Sequence, residues 1–220
     1  MKKCIDKKKN KITVLMLATL LGINLMATDI VTVHADNVNS SEDTTFSALW
    51  TGKDGECDWS YDIVTRTLTI SASSRGKQLG TKILTGQTGG LIPWSNWIEH
   101  INFATPVSLA INSGGKFSYL YNLKTIDNFN LVDTSKVVNM SELFSNDDKL
   151  YKLDLSGINT SKVANVTNMF YGDKKLTQLD LSRLDLSHVP AAKKRGMLTN
   201  SGLDNKPEST QTGAVAHVGK

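Results

Sequence analysis

Leu150–Val163 reads LYKLDLSGINTSKV, and 26 residues later Leu176–Val189 reads LTQLDLSRLDLSHV. Seven of these fourteen positions are identical, where two unrelated segments would share about one. Asp133–Phe144 (DTSKVVNMSELF) slides by the same 26 residues onto Asn159–Phe170 (NTSKVANVTNMF), with six of twelve identical. Further upstream, Leu123 and Ile126 match Leu150 and Leu153 at a spacing of 27, and Asp127-Asn128-Phe129 absorbs the extra residue. Units therefore begin near Phe117, Phe144 and Phe170. A fixed period of this length means one structural unit used repeatedly.

Each unit has two halves. Leu150-x-x-Leu153-Asp154-Leu155 and Leu176-x-x-Leu179-Asp180-Leu181 read as short strands, leucines inward and aspartates outward. Thr160-Ser161 and Thr134-Ser135 then offer hydroxyls suited to a helix start. Val163, Val166, Met169 and Phe170 stand at i, i+3, i+6 and i+7, which predicts one helical face, and Val137, Met140, Leu143 and Phe144 repeat it. A helix of about eight residues cannot survive alone and must pack on the next unit. Asn146-Asp147 and Gly172-Asp173 read as turns back to the strand. The predicted fold is α/β: a leucine-rich-repeat-like solenoid of about 2.5 repeats, each a short parallel strand plus a short helix, with a small N-terminal β-rich cap.

The repeat also carries a resemblance. The unit resembles that of the BspA-like leucine-rich repeat surface proteins of bacteria, approximately L-x-x-L-D-L-S-x-x-D-T-S-x-V-x-x-M-x-x-M-F. Leu123 to Phe144 and Leu150 to Phe170 follow that pattern nearly throughout. A weaker likeness runs over residues 46–115, through Trp59-Ser60-Tyr61-Asp62, Leu68-Thr69-Ile70 and Pro93-Trp94. The resemblance implies a secreted or wall-attached protein that adheres to host glycoproteins, matrix or other cells. It does not name a ligand.

Both flanks differ from the repeats. Met1–Lys11 is basic, Ile12–Ala27 is apolar, and Val33-His34-Ala35 places small residues at −3 and −1. That tripartite leader predicts residues 1–35 to be a signal peptide, cut after Ala35, and a protein working outside the cytoplasm. The apolar run is short for a bilayer, which needs about 20 residues, and no later run approaches that length. Residues 36–45 (DNVNSSEDTT) read as a disordered leader. Residues 46–116 hold all four tryptophans, Trp50, Trp59, Trp94 and Trp97. Glu56–Asp62 and Thr67–Ala72 read as strands around a Val64-Thr65-Arg66 turn, with Ile98–Phe103 a third. This segment is expected to cap the open end of the solenoid; the rival reading of its tryptophans is sugar stacking. The repeats occupy 117–190. Residues 191–220 read as a degenerate remnant and disordered tail, which would leave Leu176, Leu179 and Leu181 partly exposed and the end open to self-association. The chain reads as a truncated member of its family, with no wall-sorting pattern.

Composition excludes several functions. The formal charge of +4 comes from the six lysines and two aspartates of the leader; the remainder balances nineteen basic against nineteen acidic side chains. A neutral body lacks the footprint of a nucleic-acid binder. Cys57 is the single cysteine after the leader, too few for a disulfide or a zinc site. Paired with His100 it could be a nucleophile; a structural thiol is the plainer reading. No catalytic, phosphate-binding or calcium motif is present. No enzyme, metal or cofactor is expected. The candidate binding face is the exposed side of the strands: Thr125, Asp127, Lys152, Asp154, Gln178 and Asp180. Its aspartates would form a column of like charges needing compensation. The expected function is non-enzymatic adhesion to an extracellular protein or glycan. The alternative is a carbohydrate- or cell-wall-binding module built on the tryptophan-rich segment.

Overall fold

A computed structural model describes residues 31–34, 47–80 and 97–204. The described elements are β1 (Val31–His34), β2 (Ser47–Asp54), β3 (Cys57–Asp62), β4 (Thr67–Ser71), β5 (His100–Phe103), β6 (Val107–Ser108), β7 (Thr125–Asp127), β8 (Val132–Asp133) and β9 (Lys152–Leu153). Seven of them form one sheet in the order β1-β2-β3-β4-β5-β7-β9, and β6 pairs with β8. β1 to β4 run antiparallel as a meander. From β4 onward every pairing is parallel. The architecture is a mixed one, with a mostly parallel sheet and very little helix.

The meander follows from local sequence. Burial along β3 and β4 alternates residue by residue, placing Cys57, Trp59, Tyr61, Leu68 and Ile70 inside. Arg66 takes the left-handed conformation between them (φ 54°), and Asp62 Oδ1 accepts the Val64 N–H at 2.8 Å to tighten the turn. The strands expected from Glu56, Thr67 and Ile98 onward are present as β3, β4 and β5. β2 was not foreseen. Neither was β1, which lies within the leader segment.

In the second half, successive units lie side by side. Thr125 pairs with Lys152 and Ile126 with Leu153 in parallel register, and Lys152 bridges on to Gln178. The core is aliphatic with a spine of phenylalanines. Phe117 stacks on Phe144 (5.6 Å, 11°) and Phe144 on Phe170 (5.5 Å, 5°). Phe103 and Phe129 pack edge-on against Phe117. The expected equivalence of Phe144 and Phe170 is therefore observed, one unit apart.

The short helices expected after each strand are a correction. Among the described residues, helix is confined to short 3-10 pieces, Phe129–Leu131, Ala191–Lys193 and a residue at Trp97. The apolar set is right: Val137, Met140, Leu143, Phe144, Val163, Val166, Met169 and Phe170 are all buried. Their backbone groups bond elsewhere. Met140 N–H donates to Asn165 O (2.8 Å), Glu142 to Thr167 O (2.9 Å) and Phe144 to Met169 O (3.0 Å). Alternate N–H groups thus pair with the next unit, while the residues between them close tight turns, as Leu143 N–H does on Met140 O (3.2 Å). Left-handed Glu142 (φ 56°) and Asn168 (φ 56°) would interrupt a helix in any case. Thr134 and Thr160 cap nothing. Thr134 Oγ1 donates to Asn159 O (3.0 Å) and Thr160 Oγ1 to Asp185 O (2.9 Å), joining one unit to the next.

The segment after Val189 is the second correction. Val166, Asn168, Phe170 and Gly172 donate to Lys193, Arg195, Met197 and Thr199 at 2.9–3.0 Å. Residues 191–204 therefore lay a further unit on the ladder at a spacing of 27. Met197, Leu198 and Leu203 are buried, and Leu176, Leu179 and Leu181 are 0%, 8% and 2% exposed. These leucines are not left open. Pro190 stands where Val138 and Ala164 donate their N–H to the preceding unit; having no N–H, it drops that one bond. The disorder expected beyond 204, and the wall-sorting question, fall outside the described residues, as do residues 1–30, the 36–45 leader and Trp94.

One buried ion pair ties the meander to the repeats. Lys116 Nζ lies 3.5 Å from Asp54 Oδ2 and donates to Gly80 O, with both side chains almost wholly buried. Burial holds the Lys116 ammonium below the usual lysine range.

Candidate functional site

The parallel register places the expected face. Thr67, His100, Thr125, Lys152 and Gln178 are successive partners across five neighbouring strands or bridges. Two residues on, Thr69, Asn102 and Asp127 form a second row. Asp154 stands two residues after Lys152, and Asp180 two after Gln178, so both extend the second row. Side chains two apart share a face. Asp127, Lys152, Asp154, Gln178 and Asp180 are exposed and Thr125 half-buried. All six expected residues thus lie on one solvent-facing surface.

The aspartates there are compensated locally. Asp154 Oδ1 accepts the Ser156 N–H (2.8 Å) and Asp180 Oδ1 the Ser182 N–H (2.9 Å). Each carboxylate therefore caps its own turn. The Ser182 hydrogen bonds, with help from the Arg183 charge, hold the Asp180 carboxyl below the usual carboxylate range. Asp127 differs: its Oδ2 accepts from Thr125 Oγ1 (3.2 Å). Thr125 Oγ1 also meets His100 Nδ1 at 2.8 Å. Behind this row Glu99 is clasped by Arg66 (2.7 Å) and Lys124, and both cations hold its carboxyl low.

Sequence reasoning missed His100 and Asn102 on this face. Their signal was the pairing of Ile98–Phe103 with the first repeat strand, which a cap reading does not require. It also missed a second column. Asp147 and Asp173 are fully buried, 26 residues apart, in the segments read as plain turns.

The tryptophans divide. Trp50 and Trp59 are buried in the meander core, and Trp97 is exposed. Two of the proposed stacking residues are therefore packing residues. Cys57 is buried, its thiol donating to Lys77 O at 3.7 Å, and burial pushes it up to about 11. A thiol so held is a poor nucleophile. Among the described residues no cluster of His, Cys, Asp and Glu is placed to hold a metal ion. No helix among them is long and apolar enough to cross a membrane.

Residues 116–217 match the family model described as "Mycoplasma protein of unknown function, DUF285". The match spans the whole repeat region and somewhat less than half of the chain. Its start, at Lys116, coincides with the first unit and excludes the meander. No curated protein matches the chain, and no solved structure does.

Proposed function

We propose that the chain is an extracellular adhesion protein that binds a partner protein through the exposed face of its parallel strands. The finer architecture in this reading is a leucine-rich-repeat-like solenoid, and the resemblance is to BspA-like bacterial surface proteins. The observation that carries it is the register Thr125–Lys152–Gln178, with Asp127, Asp154 and Asp180 two residues further on. One polar position per unit, repeated on a rigid ladder, is how repeat proteins present an extended recognition surface. The Asp154 and Asp180 carboxylates are fixed by their own turns, so little side-chain freedom is lost there on binding. In this reading the leader directs secretion, cleavage after Ala35 removes the edge strand β1 so that the mature sheet begins at β2, and the face carries no catalysis and needs no cofactor.

Binding of the purified chain to a panel of immobilised matrix and cell-surface proteins tests this. Lys152→Glu and Gln178→Ala should abolish the binding that the parent shows, with thermal melting unchanged. Binding that survives both changes places recognition elsewhere.

A further inference from the structure

A different surface carries a recess that neither the repeat pattern nor the strand face accounts for. At one corner of each unit a residue adopts the left-handed conformation: Tyr119 (φ 60°), Asn146 (φ 63°), Gly172 (φ 80°) and Asn200 (φ 58°). Tyr119, Asn146 and Gly172 donate their N–H to Ser145 O, Tyr171 O and Thr199 O, so the four form one column. Three of them carry a side chain and the third in order carries none. The column is dented at Gly172. The Asn146 side chain leans over the gap, since a Cβ on Gly172 would lie 2.6 Å from Asn146 Oδ1.

The dent opens into a recess of about 510 Å³ lined by Asn146, Tyr171, Lys174, Asn200, Ser201 and Asp204 around Gly172. Its groups are held in place before any ligand arrives. Asn200 Nδ2 donates to the Tyr171 hydroxyl (3.1 Å), and Asn200 N–H donates to Asp204 Oδ2 (2.9 Å). Lys174 Nζ reaches Asp148 Oδ2 (2.9 Å). Each uses only part of its capacity. An amide has two N–H donors and a carbonyl, an ammonium has three donors, and a tyrosine hydroxyl that accepts one bond can still donate.

We propose that this recess binds a neutral saccharide of one or two rings. Charge argues for neutrality: the lining holds one cation and one carboxylate, each engaged with a protein partner. Polarity argues against a lipid or aromatic ligand, which calls for a mostly apolar lining, whereas this one mixes amide, hydroxyl and charged groups with apolar surface in comparable measure. The volume lies within the ~300–1,000 Å³ of small-ligand sites. The half-buried Tyr171 ring supplies an apolar surface beside polar groups, the combination that a pyranose presents in turn. This site stands apart from the strand face, and its test is independent of the adhesion reading.

NMR titration of the full chain with galactose, N-acetylglucosamine, N-acetylgalactosamine and lactose provides that test. At least one sugar should give saturable shifts at Tyr171, Gly172 and Asn200, in the ~millimolar range that corresponds to about −4 kcal/mol. Tyr171→Phe removes only the hydroxyl, and Asn200→Gly keeps the left-handed backbone. Each should weaken binding at least ten-fold with melting unchanged, while Lys152→Glu leaves it intact. A glycoprotein ending in the responding sugar, run alongside, tells a glycan terminus from a free saccharide by which binds more tightly per sugar. Saturable shifts from none of the four sugars would overturn the proposal. So would shifts centred on Trp97, or indifference to both recess variants.

Discussion

Asp173 Oδ1 accepts the backbone N–H of Asp147 at 2.9 Å, and Asp147 Oδ1 in turn accepts the N–H of Leu120 at 2.8 Å. The two carboxylates thus form a buried ladder across three units. Their other oxygens, Oδ2 of each, are buried without a hydrogen-bond partner. Burial pushes both carboxyls well above the usual carboxylate range. The neighbouring Asp173 charge adds to it at Asp147, and Asp148 raises both. The second oxygen is best served by a proton.

That arrangement sets a pH dependence. Aspartates in the unfolded chain titrate near 3.9, so this pair takes up protons on folding at any pH between there and its raised folded values. Its contribution to stability is full below about pH 4 and is lost as pH rises through the folded values. Asp147→Asn and Asp173→Asn keep an acceptor for the backbone N–H and cannot ionise. Their unfolding free energies in urea titrations, relative to the parent, should rise with pH, by up to about 1.4 kcal/mol per pH unit per site within the window. A gap between variant and parent that stays constant from pH 4 to 8 would show that the pair is ionised throughout. Measuring the difference is necessary, because Asp133, Asp180 and Asp185 are held low by serine hydrogen bonds and act in the opposite sense.

The phenylalanine spine predicts a sharp contrast with the surface. Phe144→Ala or Phe170→Ala removes a ring stacked within the core and should cost about 3–5 kcal/mol. Asp154→Asn keeps the acceptor for Ser156 N–H and should change stability by less than about 0.5 kcal/mol. Urea titrations of the three variants read this directly. Neutral phenylalanine changes beside a disruptive Asp154→Asn would invert the inside and outside of the units.

Lys116 should be intolerant. Removing one partner of a buried ion pair typically costs about 3–5 kcal/mol, so Lys116→Ala is expected to loosen the meander from the repeats. The double change Lys116→Met with Asp54→Leu should recover much of the loss. Proteolysis of the three proteins gives the ranking; a single variant as resistant as the parent would mean that the pair holds nothing.

Cys57 should label slowly. With the thiol buried and raised to about 11, native protein at pH 8 should react with a disulfide reagent far more slowly than protein in guanidinium. Rapid native labelling would contradict the burial.

The sequence was informative where side chains speak for themselves. Alternation marked strands over Leu150–Leu155 and Thr67–Ala72, where β9 and β4 lie, and over Leu176–Leu181, where only a bridge at Gln178 forms; the period set Phe144 against Phe170. It was silent where the answer lies in a backbone partner. Spacings of three and four at Val163, Val166, Met169 and Phe170 suit a helix and suit a chain of tight turns equally. What decides is that Phe170 N–H bonds to Met197 O (2.9 Å), and no side chain announces that. The unit after Val189 was hidden by Pro190 and by a drift in spacing to 27. Of the candidate sites, the strand face was legible because Asp154 and Asp180 sit in identical words. Asp147 and Asp173 hid in Asn-Asp and Gly-Asp, which read as ordinary turns. The recess at Gly172 depends on a missing side chain in a column that only the ladder defines.

The register of Phe117, Phe144 and Phe170 also governs how the molecule would answer to being pulled. Phe144 touches the ring before it and the ring after it, and each lateral hydrogen bond joins only adjacent units. A load drawn through the C-terminus is resisted by one seam at a time. The unit carrying Met197 peels first, then that of Phe170, each release paying out about 26 residues, or roughly 90 Å of extended chain. The tether would lengthen in discrete steps while the meander, locked by Lys116, held to the end.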